Sequence, residues 1–141
     1  MDVRPARNRD EVDQALALRE QVFCVEQGVA LGADRDGLDD LAIQIVAVES
    51  GRVIGTCRVL VDGDVGRLGR MAVEAGARGR GLGAAILAAA ERSAHDAGAL
   101  LMRLHAQRYV EDLYMTAGYA PFGEPFVEEG IPHVAMEKRL A

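Results

Sequence analysis

The sequence predicts an α/β (α+β) protein, with a single domain spanning residues 1–141, and three observations support this prediction. An apolar stripe with the period of an amphipathic helix lies near the N-terminus. Two runs rich in Ile and Val, separated by turn residues, follow as a predicted antiparallel hairpin. A third strand then leads through a glycine-rich turn into an alanine-rich helix. We therefore expect a central, mostly antiparallel sheet flanked by helices.

Composition narrows the class of protein before any motif is considered. The net charge of −6 argues against a nucleic-acid partner, because neutralising phosphates requires clustered Lys and Arg. Apolar runs are shorter than the roughly 20 residues of a membrane helix, and the N-terminus does not resemble a signal peptide. Cys24 and Cys57 stand alone without metal-ligand spacing. The expectation is reduced thiols in a cytoplasmic protein without membrane or metal binding.

The chain is expected to begin with a short extended segment, Val3–Ala6, followed by a helix. Asn8 as N-cap with Glu11 three residues later resembles a capping box. The helix should continue to about Gln27, with Gly28 as its stop. Its predicted apolar stripe consists of Val12, Ala15, Leu16, Leu18, Val22, Phe23 and Val25.

Two charged residues, Arg19 and Glu26, fall within this apolar stripe. Charged groups on a buried face need partners. They either pair with polar groups of neighbouring elements and hold the helix in place, or this face of the helix lines part of a cleft. The sequence leaves both interpretations open.

An acidic segment, Ala30–Asp40, follows the first helix and contains Asp34, Asp36, Asp39 and Asp40. A calcium loop starting at Asp34 would need a bidentate Glu at its twelfth position, where Ile45 stands. We expect a solvated acidic loop. The alternative is a cleft mouth whose negative field attracts cationic amines.

The remainder of the chain is predicted to alternate between strands and helices. The predicted strands are Leu41–Glu49, Arg52–Val61, Arg67–Val73, Leu100–His105 and His133–Leu140. The predicted helices are Leu82–Ala97 and Gln107–Ala117. A loop containing Pro121, Pro125 and Pro132 is expected before the last strand.

The turn before the alanine-rich helix is the strongest candidate for a binding site. Gly79, Gly81 and Gly83 let the backbone turn sharply and let a ligand approach without a Cβ in the way. The first N–H groups of the helix have no intrahelical partner, and the helix dipole adds partial positive charge. With Arg78 and Arg80 beside it, the turn is predicted to bind a phosphate or pyrophosphate. A tight turn with solvated arginines is the alternative.

Two common phosphate-binding patterns fit this loop poorly. A Walker A loop needs Gly-Lys-Ser/Thr before its helix, and the sequence does not supply it. The dinucleotide fingerprint matches at Gly79–Ala84, but it expects an acid about 20 residues further on. Residues 104–106, at that place, carry none.

A third pattern, Arg/Gln-x-x-Gly-x-Gly/Ala, is met by Arg78, Gly81 and Gly83. It resembles the coenzyme A pyrophosphate loop of the GNAT superfamily of acetyl-coenzyme A-dependent N-acyltransferases. Leu113-Tyr114-x-x-x-Gly118-Tyr119 resembles the second hallmark of that superfamily, a helix end after the fifth strand.

Two further stretches, Arg19–Gln27 and Gly130–His133, are similar to the ElaA-like branch, so the resemblance covers essentially the whole chain. It implies a GNAT-like fold, with a central mixed, mostly antiparallel sheet that contains a splayed parallel pair of strands. One departure is that the strand Arg67–Val73 carries no acid, whereas some relatives have their general base there.

The resemblance further implies an enzyme that moves the acetyl group of acetyl-CoA directly to a primary amine. A backbone N–H of the splayed strand would polarise the thioester carbonyl and stabilise the oxyanion. The residues implied to contact coenzyme A are Met71, Ala72, Val73, Arg78, Gly79, Arg80, Gly81, Leu82, Gly83, Ala84 and Tyr114.

Catalysis by direct attack needs a base and an acid. An amine attacks only when neutral, and a lysine-like ammonium has a pKa near 10.4, so a base or a water chain must take its proton. Glu26, Glu128 and His133 are the candidate bases. The departing thiolate needs a proton, which the phenol of Tyr114 could supply, although Tyr114 also suits a packing role in the core.

Two other functions stay open at this point. One is a non-catalytic acyl-coenzyme A sensor on the same fold, and the other is a dinucleotide-binding oxidoreductase module. The sequence does not name the acceptor, which could be a small amine, a peptide N-terminus or a lysine. It is compatible with a homodimer.

Overall fold

The computed structural model describes residues 1–140 and contains a seven-stranded sheet. The strands are β1 (Asp2–Pro5), β2 (Ile43–Glu49), β3 (Arg52–Asp62), β4 (Val65–Val73), β5 (Leu101–Gln107), β6 (Ala120–Glu128) and β7 (Ile131–Arg139). The α-helices are α1 (Arg9–Glu20), α2 (Leu82–Asp96) and α3 (Glu111–Thr116). The strand order is β1-β2-β3-β4-β5-β7-β6, and only the β4–β5 pair is parallel. The predicted fold class is confirmed.

Helix α1 begins at the predicted N-cap, Asn8, although the Glu11 carboxylate accepts from the Arg7 N–H at 2.7 Å and not from the Asn8 N–H of a capping box. The side chain of Asn8 accepts a hydrogen bond from the Glu11 N–H at 2.9 Å, which satisfies a free donor of the first turn. The helix continues as a π-helical turn, Gln21–Glu26, and Gly28 follows with a φ of +74°. The predicted end near Gln27 is therefore confirmed. Val25, in contrast, is 67% exposed, so its assignment to the buried stripe was wrong.

Helices α1 and α2 cover opposite faces of the sheet. Ile45 packs in the cluster around α2, and the next residue, Val46, packs in the cluster around α1. Successive strand residues point to opposite faces, so these two clusters form two cores. Cys57, buried in the α2 cluster, and Cys24 are both free thiols. No helix within residues 1–140 combines the length and the apolar character needed to cross a membrane.

Strand β4 separates from β5 partway along its length. The parallel ladder runs from Val65 opposite Leu101 to Leu68 opposite Leu104 and then stops, although both strands continue. The predicted splayed pair is therefore confirmed. Because the two strands diverge toward their C-terminal ends, a gap opens in the sheet. It lies beside the C-terminal end of β4, just before the turn into α2.

A β-bulge coincides with the start of this gap. On the other side of β4, Arg58 lies opposite Gly69 and Thr56 opposite Ala72, so β4 carries one extra residue here. Arg70, within the bulge, has a φ of +57°, a conformation that non-glycine residues rarely adopt. A bulge bends its strand and increases the local twist. The bulge thus lies directly after Leu68, where the parallel ladder between β4 and β5 ends.

The segment before the last strand was predicted to be a loop, and this prediction was wrong. It forms the edge strand β6, which pairs with β7 through a tight turn at Glu129 and Gly130. Both turn residues have a positive φ, as a two-residue hairpin turn requires. Proline cannot donate to a ladder, but an edge strand leaves one side unpaired and tolerates Pro121 and Pro125.

The third predicted helix is shorter than expected, and the strand before it is longer. Gln107 is the last residue of β5, a single 3₁₀ turn occupies Arg108–Val110, and α3 covers only Glu111–Thr116. The final strand likewise begins two residues early, at Ile131. These differences place Gln107 and His133 opposite each other in the sheet.

The acidic segment after α1 is held by arginines rather than solvated. Arg19 is fully buried, and its guanidinium contacts a carboxylate oxygen of Asp34 at 3.2 Å and one of Asp39 at 2.6 Å. Arg58 forms a bidentate ion pair with Asp36. Hydrogen bonds from Arg58 hold the pKa of Asp36 well below its ordinary value. The expectation of a solvated acidic loop was wrong for Asp34 and Asp39, whereas Asp36 and Asp40 are exposed. Of the two interpretations of Arg19, the one with polar partners is correct.

Replacing Arg19 with Met should lower the free energy of unfolding by about 3 kcal/mol, because Asp34 and Asp39 would lose their buried partner. Arg35→Met is the matched control, since Arg35 lies 3.9 Å from the same Asp34 but has a 45% exposed side chain. That variant should lose less than about 1 kcal/mol. Urea denaturation of both variants measures the difference. Equal losses would mean that the buried pair does not hold the loop.

Candidate active site

A cavity of about 1080 Å³ occupies the gap between β4 and β5. Its walls come from the π-helical turn after α1, from β4 and β5, from the turn into α2, from α3 and from the β6–β7 hairpin. All the residues predicted to contact coenzyme A line this cavity except Arg80, which forms an ion pair with Glu49 at 2.5 Å. The candidate catalytic residues Tyr114, Glu26, Glu128 and His133 line the same cavity.

The glycine-rich turn offers unpaired backbone donors to this cavity. Gly79 and Gly81 have φ values of +79° and +78°, and nothing lies within 4 Å of the place where their Cβ atoms would be. Gly81 is the N-cap of α2, and no side chain caps this helix. The first N–H groups of α2 therefore remain available, with the positive end of the helix dipole behind them. This arrangement suits a phosphate group.

Strand β4 presents a free edge to the cavity beyond the bulge. The Glu74 N–H donates to the Ile54 carbonyl at 2.9 Å, so this residue faces β3. Bonding direction alternates along a strand, and Met71 and Val73 therefore direct their backbone groups into the gap. The Val73 carbonyl accepts a hydrogen bond from Arg78 Nε at 3.0 Å, which ties the turn to this edge.

The end of the first helix bridges both sides of the gap. Glu26 pairs with Arg78 at 2.6 Å on the side of the glycine-rich turn. Gln27 exchanges two amide hydrogen bonds of 3.1 Å with Gln107, and it donates to the Tyr109 hydroxyl at 2.9 Å. Both interpretations therefore hold for Glu26, which pairs with a neighbouring element and lines the cavity. Its carboxylate already has a guanidinium partner.

Tyr114 directs a protonated phenol at the cavity. The residue is 5% exposed, lies edge-on to the Tyr119 ring at 6.0 Å and has no hydrogen-bond partner for its hydroxyl among residues 1–140. Burial raises its pKa above the ordinary value of about 10. The hydroxyl therefore keeps its proton at pH values where many amines become neutral.

A histidine–glutamate cluster lies on the wall formed by β5 and the β6–β7 hairpin. His133 Nδ1 lies 2.7 Å from the Ile131 carbonyl oxygen, which can only accept, so Nδ1 carries a hydrogen. In the neutral ring, Nε2 then holds the lone pair, and it lies 3.7 Å from a carboxylate oxygen of Glu128. The other oxygen of Glu128 lies 3.2 Å from His105 Nδ1, and the Phe126 ring stacks on His133.

Sequence reasoning missed several residues of this cavity. His105 reaches it because β5 alternates, which places His105 on the same side of the strand as Gln107. Arg67, Arg70 and Arg103 also line the cavity. A period of two in an isolated strand could have grouped His105 with Gln107. It could not have shown which face of the sheet lies open.

The chain matches the family described as "Acetyltransferase (GNAT) domain" over residues 19–140. It therefore belongs to the GNAT acetyltransferases, and it is an acyltransferase with an ElaA-like structure.

Among its relatives is the "Uncharacterized N-acetyltransferase YjcF" of Bacillus subtilis. That protein is 33% identical over 94% of this chain and 96% of its own length. An acyl-CoA N-acyltransferase from Pseudomonas aeruginosa is 26% identical, with a TM-score of 0.88 and coverage of 98% and 99%. Escherichia coli ElaA is 25% identical, with a TM-score of 0.84 and 97% of each chain covered. The predicted family and branch are confirmed.

Proposed function

We propose that this acyltransferase moves the acetyl group of acetyl-CoA to a primary amine by direct attack. One observation carries the proposal. A single cavity joins the uncapped start of α2 and the free edge of β4 to a buried phenol and a histidine with a free lone pair. Each group has a separate task in such a transfer, and the cavity brings all four together.

The glycine-rich turn suits the pyrophosphate of the donor. The backbone N–H groups at Leu82, Gly83 and Ala84 would bind the phosphate oxygens, and Arg78 stands beside them. The free edge at Met71 and Val73 would pair with the amides of the pantetheine arm, as another strand would. One N–H of this edge would stabilise negative charge on the thioester oxygen as the amine attacks.

The proton balance assigns roles to the two walls. The amine nitrogen forms a bond to the acetyl carbon, the carbon–sulfur bond breaks, and the nitrogen loses a proton. His133 Nε2 accepts that proton directly or through water, with Glu128 beside the imidazolium that results. Tyr114 gives its proton to the leaving sulfur. Glu26 is the weaker candidate base, because it is paired with Arg78.

Coenzyme A release from acetyl-CoA, measured over a broad panel of amines, tests the proposal. Turnover with at least one amine and formation of its N-acetyl product are expected. Tight binding of coenzyme A with no turnover on any amine would favour the sensor function instead. The oxidoreductase alternative already conflicts with the sheet, because a dinucleotide-binding fold needs a mostly parallel one. A cytoplasmic location stays a prediction.

A further inference from the structure

The acceptor side of the cavity has an arginine-rich wall. Arg67 of β4 and Arg103 of β5 lie opposite each other in the parallel ladder, and both line the cavity. Arg103 is paired with Glu137 at 3.0 Å and lies over the Phe122 ring. Arg67 is exposed and forms no ion pair within residues 1–140. One guanidinium on this wall thus has no carboxylate to balance it.

Arg70, on the same wall, is only partly balanced. Its Nε donates to the Asp34 backbone oxygen at 2.9 Å, and its nearest carboxylate oxygen, on Asp36, is 3.4 Å away. That carboxylate already accepts two hydrogen bonds from Arg58. Burial lowers the pKa of Arg70, and repulsion from Arg58 lowers it further. The pKa of Arg58, in contrast, is raised by its hydrogen bonds to Asp36.

The backbone of Arg70 adds an independent observation. Its left-handed conformation costs about 1–3 kcal/mol in a non-glycine residue, and such strain collects at functional sites. Despite this strain, the bulge position at the opening between β4 and β5 is occupied by an arginine. A glycine would adopt the same backbone without strain, but it would bring no charge to the cavity.

The opposite wall carries the opposite charge. Glu128 and Glu129, at the β6–β7 turn, line the cavity beside His133. An amine approaching His133 would therefore have carboxylates near its nitrogen and guanidinium groups across the cavity. A purely cationic acceptor would meet an unpaired guanidinium at Arg67 and an only partly balanced one at Arg70. An acceptor with charges of both signs would match both walls.

We infer that the acceptor is a small amine that also carries an anionic group, such as a carboxylate, sulfonate or phosphate, bound by Arg67 and Arg70. This inference rests on the proposed acetyl transfer and specifies its substrate class. It reverses the expectation of a cationic acceptor, because three of the four carboxylates behind that expectation, those of Asp34, Asp36 and Asp39, are paired with Arg19 and Arg58.

The test compares acceptors of matched length that differ in charge. 3-Aminopropanoate, 3-aminopropanol and 1,3-diaminopropane carry an anionic, a neutral and a cationic group, and 2-aminoethyl phosphate adds a dianion. The kcat/KM of each acceptor is measured with acetyl-CoA. It is then divided by the fraction of that acceptor's amine that is neutral at the assay pH. The anionic acceptors should exceed the neutral one by about tenfold or more, as expected for one charge-assisted hydrogen bond.

Arg67→Gln and Arg70→Gln should each reduce this anion-to-neutral ratio by about tenfold. Arg67 is exposed, so its variant keeps the test valid if Arg70→Gln proves unstable. Arg92→Gln is the control, because Arg92 is an exposed arginine on α2 outside the cavity, and the ratio should not change.

A preference for the neutral or cationic acceptor, or an unchanged ratio in Arg67→Gln, overturns the inference and leaves acetyl transfer standing. No turnover with these four acceptors while another amine of the broad panel is acetylated also overturns the inference alone. No turnover with any amine of that panel overturns the proposed function, and the inference with it.

Discussion

Tyr114→Phe is expected to lower kcat by about 100- to 10,000-fold, the contribution of a well-placed general acid. The substitution keeps the ring and its packing against Tyr119 but removes the proton that the leaving thiolate needs. The Tyr114 hydroxyl has no hydrogen-bond partner among residues 1–140, so its loss should leave the melting temperature nearly unchanged. Steady-state kinetics on the best acceptor of the panel, together with thermal denaturation, measure both effects.

Tyr119→Phe is the matched control for this experiment. Its hydroxyl donates to Glu91 at 2.9 Å and does not line the cavity, so the same chemical change occurs outside the site. This variant should lose some stability and keep a kcat close to that of the wild type. A near-normal kcat in Tyr114→Phe would make Tyr114 a packing residue. Loss of kcat to the same degree in both variants would point to a general effect on the fold.

Gly81→Glu should weaken coenzyme A binding by about 1,000-fold, which corresponds to about 4 kcal/mol. The glutamate side chain would occupy the open space at the N-cap of α2 and place a negative charge where the pyrophosphate is proposed to bind. The positive φ of Gly81 adds backbone strain in any substitution. Isothermal titration calorimetry with coenzyme A measures the dissociation constant of the folded variant.

Two controls separate charge from strain and from bulk. Gly81→Gln introduces similar bulk and the same strain without charge, so it should bind more tightly than Gly81→Glu. Gly76→Glu places the same charge in the preceding turn, at an exposed glycine that does not line the cavity and has open space around it. It should retain nearly normal affinity. Unchanged affinity in Gly81→Glu would remove the pyrophosphate from this turn.

Elements whose signals lie within a few residues could be predicted from the sequence. The Asn8 cap, the stop at Gly28 and the glycine-rich turn before α2 depend on local hydrogen bonds and on backbone angles that few residues adopt. The family resemblance predicted the gap between β4 and β5. The bulge in β4 places its positive φ at Arg70 and not at the neighbouring Gly69, so the sequence did not indicate it.

Elements whose state depends on distant partners were predicted less well. A strand paired on both sides would exclude Pro121 and Pro125, so these residues predict a loop. Because β6 lies at the edge of the sheet, it is paired on one side and can contain them. The charged residues behaved in the same way. Asp34 and Asp39 look solvated in the sequence, yet Arg19 comes from another element to meet them in the interior.

The sequence alone thus determined the family, the order of most strands and helices, and the turn proposed to bind phosphate, because each is encoded in short-range patterns. Only the tertiary structure decided which side chains share the cavity. His105, Glu128 and His133 come from two strands and a hairpin end, and they meet because β5 and β7 pair in a particular register. Arg67 and Arg70, on β4 beside the bulge, line the same cavity. Charge pairing depends on the distance between side chains in the folded protein, which cannot be read from their order in the sequence.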